Sequence, residues 1–183
     1  MSLSRKKNVI HSIRMDQELE EKVNREAEAR HLTFNNLVNS ILRRYSEFDT
    51  YAERFGFVTI TRNTYQALVS AIDDDGIEAI ARDVSSLALK EFTYFKYNEP
   101  SVRSFIDFTA LQCNYGGLGM YEEKTQGLDH MIIVRHHLGA KVSKLFGLIT
   151  AETMKRMADI DVRVDASSEN EVVIRFKADP FNL

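Results

Sequence analysis

Along the chain the apolar positions change period several times, and each change predicts an element. Between Asn8 and Met15 two sets alternate, Val9, His11, Ile13 and Met15 on one face and Asn8, Ile10, Ser12 and Arg14 on the other, the period of a strand. Asp16 then stands at an N-cap position. Leu19, Val23 and Ala27 follow at spacings of four with acids crowding the first turn, predicting a helix over Gln17 to Ala29. Arg30-His31-Leu32 makes the connection, and Thr33 offers a second N-cap before Phe34, Leu37, Val38, Ile41 and Leu42. The apolar seam continues through Tyr45, Phe48, Ala52 and Phe55 to Gly56, so one helix is expected from Phe34 to about Arg54, a stiff arm between two modules. The alternative is two helices broken near Asp49-Thr50.

Beyond Gly56 the pattern predicts a strand at Phe57 to Thr61, a short helix capped by Asn63 and ending near Ile72, a turn at Asp73 to Gly76, and a helix from Ile77 to about Phe95. Asn98 to Ser101 reads as a loop, and Val102 to about Asn114 as a helix. Tyr115 to Gly127 reads as a flexible connection. A strand is expected at Leu128 to His136, a long helix from about Ala140 to Met157, and a closing hairpin of Asp161 to Asp165 and Glu171 to Lys177 with its turn at Ala166 to Asn170. The expected fold class is α+β, with a first domain over residues 1–48, a helical linker over 49–56 and an α+β domain over 57–183.

Composition changes this picture in one respect only. Apolar and charged fractions are ordinary for a globular chain, and no apolar run has the length of a membrane span, so no membrane partner and a cytoplasmic location are expected. A single cysteine, Cys113, cannot form an internal disulfide. The net charge of −3 is unevenly spread. Arg5, Lys6, Lys7 and Arg14 precede any acid, whereas Asp16, Glu18, Glu20, Glu21, Glu26 and Glu28 dominate the following stretch. Segregation outweighs the total, because attraction to phosphate is screened over about 8 Å at physiological salt.

A lone strand of eight residues, Asn8 to Met15, has no partner in the first fifty residues and needs one. Followed by two amphipathic helices, it resembles the ribbon-helix-helix family of transcriptional regulators, the Arc, MetJ and CopG class. The residues that carry the resemblance are Ile13-Arg14-Met15, then Leu19, Val23 and Ala27 on the first helix, and Leu32-Thr33 with Leu37, Val38 and Ile41 on the second. It spans about residues 6–48. The resemblance implies a swapped homodimer whose paired strands enter the major groove of double-stranded DNA. It implies that Ile10, Ser12 and Arg14 read bases, and that Arg5, Lys6, Lys7 and the start of the second helix at Thr33, Phe34 and Asn35 contact phosphate. Two positions depart from the family pattern: His11 faces inward where an aliphatic residue is usual, and Ile10 faces outward where a polar one is usual.

The C-terminal part is expected to bind a small-molecule effector or to join dimers into tetramers. Arg135, His136, His137, Lys141 and Lys144 surround Gly139 at a strand-to-helix junction, a combination suited to an anion. Cys113, His130, His136 and His137 are of metal-ligating types, but their spacing differs from that of the nickel-responsive subgroup of the family, and neither a metal nor a cofactor is expected. No nucleophile elbow, HExxH pair or phosphate-loop lysine occurs, so no enzymatic activity is expected. The expected function is a sequence-specific transcriptional regulator. The alternative is an antitoxin-like or architectural dimer whose C-terminal domain grips a protein partner.

Overall fold

Two short polar side chains start the first pair of helices. The Asp16 carboxylate accepts the Leu19 amide at 2.8 Å and begins α1 (Gln17–Ala29), and Thr33 Oγ1 accepts the Asn36 amide at 3.2 Å to begin α2 (Phe34–Arg44). Each satisfies an amide that the helix itself leaves orphaned. Between them the chain reverses through a Schellman pair of bonds: the His31 amide donates to the Glu28 carbonyl at 3.0 Å, and the Leu32 amide to the Ala27 carbonyl at 2.8 Å. His31 holds the left-handed position, with φ 56°, where glycine is the usual occupant. Residues 9–15, expected as a strand, carry no ladder within the single chain.

The computed structural model describes residues 9–98, 100–165 and 169–179, with the backbone alone described at 87–90. The chain divides into two compact units, one ending at Ser46 and the other beginning at Glu47. The helix expected from Phe34 to about Arg54 is present as three abutting stretches: α2, a π-helical turn (Tyr45–Asp49) and α3 (Thr50–Phe55). Gly56 ends it in the left-handed conformation, φ 79°. Residues 49–56, expected as a linker, fall within the second unit. Phe48 and Ala52 are buried there, and Phe55 packs edge-on against Phe92 with centroids 5.2 Å apart.

The expected strand at Phe57 to Thr61 is absent: the segment is irregular, and Phe57 instead joins the aromatic cluster with Phe92 and Phe108. Thr61, rather than Asn63, caps α4 (Arg62–Ser70). Asp73 caps α5 (Asp74–Asp83), so the expected turn at Asp73 to Gly76 is largely the first turn of that helix. The expected helix from Ile77 then continues through a second π-helical turn (Val84–Ala88) into α6 (Leu89–Tyr97). α7 (Val102–Asn114) has the expected bounds and opens with a reciprocal capping box between Ser101 and Ser104.

The remaining chain forms a four-stranded antiparallel sheet ordered β1-β2-β4-β3, with β1 at Met120–Gln126, β2 at Asp129–Arg135, β3 at Val162–Asp165 and β4 at Glu171–Lys177. α8 (Ala140–Ala158) joins β2 to β3. β1 was expected as flexible connection; it pairs with β2 along its whole length, Met120 opposite Arg135 and Gln126 opposite Asp129. The inward positions Ile132, Val134, Val172, Ile174 and Phe176 pack with Val102, Phe105 and Ile106 of α7 and Met154 of α8. A second cluster joins Val69, Ile77 and Ala81 to Val142 and Leu145. The fold is therefore α+β, and among the described residues no helix is long and apolar enough to cross a membrane.

Candidate nucleic-acid interface

The first unit places Ile10, Ser12 and Arg14 on the surface, Ile10 with 94% of its area exposed. Arg14 has no ion-pair partner among the described residues. The acids that follow it are held within their own helix: Glu18 by Lys22, Glu26 by Arg30, and Glu21 by the Gln17 amide at 2.9 Å. Such i,i+4 pairs leave the Arg14 charge uncompensated by contact among the described residues. At the start of α2 the cap takes the Asn36 amide, while the amides of Phe34 and Asn35 have no partner among the described residues, the arrangement that receives a phosphate oxygen. Arg5, Lys6 and Lys7 lie outside the described residues.

The same unit cannot close a core by itself. Of its described apolar side chains only Ala27 and Leu37 are buried. Val9, Ile13, Leu19, Leu32, Ile41 and Leu42 are each exposed by at least 40% of their area. Two helices of this length have one shared face to bury, and here the apolar positions extend beyond it onto open surface.

In the second unit the cations expected around Gly139 do not converge. Gly139 does make the strand-to-helix junction, with φ 89°, but Lys141 Nζ turns away to donate to the Ser70 carbonyl at 2.9 Å and to the Ile72 carbonyl. Lys144 bonds Asp74 at 3.2 Å and Glu78 at 3.7 Å. Arg135 lies between Glu171 at 2.7 Å and Glu122 at 3.1 Å on the solvent face of the sheet. His137 is exposed in a left-handed conformation. Arg135, Lys141 and Lys144 each have their own counter-partner, so these cations do not converge on one anion site.

The candidate metal ligands are likewise engaged separately. The Leu138 amide donates to His136 Nδ1 at 3.1 Å, which leaves the proton on Nε2 to be shared with Ser143 Oγ at 2.9 Å. This buried imidazole therefore locks the junction as a neutral group, and burial lowers its pKa below the ordinary 6.5. Cys113 is packed in the core, where burial pushes its thiol up to about 12. His130 stacks on Phe176. No group of three or more His, Cys, Asp or Glu able to hold a metal occurs among the described residues.

What the sequence pattern did not single out is an open groove of about 1220 Å³ at one end of the sheet, lined by β1, β2, β3, β4 and the residues after α8. It includes Lys124, His130, Arg163, Arg175 and Lys177. The available signal was alternation in Met120 to Gln126, but its inward residues Tyr121, Glu123 and Thr125 are too polar to register as an apolar period.

A scan against models of known protein families gives no match, and a search of the curated proteins gives none either.

Proposed function

We propose that the protein is a homodimeric, sequence-specific DNA-binding transcriptional regulator of ribbon-helix-helix type. The observation that supports it is the incompleteness of the first unit in one copy. An extended segment with no ladder and two helices with uncovered apolar faces are both completed by a second copy, whose strand and helices supply the missing partners. The paired ribbon would then present Ile10, Ser12 and Arg14 twice, related by a two-fold axis, to the floor of the major groove. The free amides of Phe34 and Asn35 and the basic Arg5-Lys6-Lys7 would hold phosphates on either side. The second unit would sense a small-molecule effector or join dimers into tetramers.

Selection of bound sequences from a random duplex library with the full chain tests this reading. A two-fold-symmetric motif is expected; recovery of no motif at low salt would overturn it. A second reading, an antitoxin-like dimer that binds a protein partner, draws support from Val58 and Leu68, exposed by 83% and 57% on the second unit.

A further inference from the structure

Only β2 and β4 have a strand on both sides, so β1 and β3 are the edges of the sheet. Among the described residues neither edge strand makes a backbone hydrogen bond outside its one ladder. An open edge is a template for another strand, and a second copy of the same edge can supply it. When a two-fold axis stands perpendicular to the sheet, the faces match only if it passes through a residue, which then lies opposite itself. The charges near that axis decide which registers are tolerated.

The two edges differ in this respect. On β1 the registers that pair most of the strand centre on Glu122, Glu123 or Lys124, and each sets that charge directly against its own copy. Glu123 also points to the inward face, 3.7 Å from Arg103, the kind of inward charge that guards an edge. β3 has no such guard. Val162 and Val164 face the core, and α8 comes so close that a Cβ at Gly147 would overlap a Val164 methyl group. Arg163 and Asp165 stand on the solvent face. A register centred on Arg163 or on Asp165 opposes like charges. The register centred on Val164 instead sets Arg163 directly opposite the second copy's Asp165, once on each side of the axis.

We propose that β3 pairs antiparallel with β3 of a second copy about a two-fold axis through Val164, joining two four-stranded sheets into one. Charge complementarity selects this register, and the row it completes is unbalanced within one chain. Arg163 lies directly opposite Arg175 on β4, and both guanidinium groups share Asp165, which is 3.4 Å from Arg163 and closer to Arg175. The second copy gives each Arg163 a carboxylate on the side away from Arg175. Half-buried Val162 and Val164 lose their remaining lateral exposure in the same step. That such pairing joins ribbon dimers into a larger assembly rests on the function proposed above; the pairing itself does not.

The test uses the full chain without DNA. Arg163→Cys and Asp165→Cys proteins are oxidised each alone and after mixing under reducing conditions; the native Cys113 is buried. Directly opposite residues of antiparallel strands have Cα atoms about 4.5–5.5 Å apart, within disulfide reach. A covalent dimer is expected from the mixture and far less from either protein alone, because only the mixture sets one new thiol opposite the other. In sedimentation, Arg163→Asp should weaken self-association about tenfold, since two ion pairs become like-charge contacts, and Arg163→Asp/Asp165→Arg should restore it. Arg163→Asp also replaces the opposition to Arg175 by an attractive pair, so its circular dichroism should match that of the native chain. A covalent dimer equally abundant in all three oxidations, or unchanged association in Arg163→Asp, would overturn the proposal. Its absence from the mixture would overturn it too and leave this edge to a strand of another protein. Because no DNA is present, each failure is distinct from failure to select a DNA motif.

Discussion

At the scale of single residues, Arg14 and His136 show how similar sequence signals separate once contacts are known. Arg14 was expected to read bases, and His136 to help hold an anion beside Gly139. Arg14 remains exposed with no ion-pair partner among the described residues, while His136 is buried with both ring nitrogens engaged. In the proposed complex, Arg14→Ala should cost about 1–3 kcal/mol on the selected operator and relax base preference, whereas removing Arg5 to Lys7 should weaken all sequences alike and flatten the salt dependence. Fluorescence anisotropy across a salt series separates the two outcomes. For His136 the folded pKa lies below the ordinary 6.5, so the unfolded chain binds the proton more readily. The associated stability is complete above that value and is lost as the pH falls from it towards the folded pKa. Urea midpoints at about pH 5 and about pH 7.5 should therefore differ more for the native chain than for His136→Gln. Equal differences would show that other groups carry the acid sensitivity.

Among the elements, helices announced themselves more clearly than strands. Asp16, Thr33 and Ser101 occupy cap positions where a short polar side chain precedes a periodic apolar run, and each does cap its helix. β4 alternates Val172, Ile174 and Phe176 inward and has its expected bounds. β1 escaped notice because its identity as a strand comes from pairing with β2, not from its own side chains. Gly119, just before it, has a specific role: a Cβ there would overlap the Arg135 carbonyl oxygen on the neighbouring strand. Gly119→Ala should therefore force β1 away from β2 and destabilise the second unit by about 1–3 kcal/mol, the usual cost of overpacking. Chemical denaturation followed by circular dichroism checks this, and an unchanged midpoint would mean that the strand start yields freely.

For the whole molecule, the decisive property is that the two units differ in self-sufficiency. The second unit owns a sheet, two apolar clusters and a ring of interlocked phenylalanines. The first owns, among its described residues, two buried apolar side chains and a surface of uncovered ones. If a second copy supplies the rest, stability of the first unit is linked to association and its melting temperature must rise with protein concentration. Thermal melts of the full chain over a wide concentration range, paired with sedimentation analysis, read this directly. A concentration-independent melt of a monomer would remove the support for a swapped dimer. The net charge of −3 does not oppose the DNA reading, since the cations of residues 5–14 are separated along the chain from the acids that produce the total.

The order of periods along the sequence was enough to establish the α+β class, the first two helices with their caps, the stop at Gly56, the bounds of α7 and β4, and those of β3 to within one residue. These depend on local physics: capping, helical periodicity, and the freedom of glycine in the left-handed region. Tertiary structure alone decided that residues 49–56 fall within the second unit with Phe55 against Phe92, that Phe57 to Thr61 is irregular and exposed, and that Met120 to Gln126 is a strand. It also dispersed the cations around Gly139 to carboxylates and helix-end carbonyls, and set Arg163 opposite Arg175 on one face of the sheet and His130 beside Phe176 on the other. A charged side chain is satisfied by whichever partner the fold brings within reach, and sequence proximity carries little information about that choice.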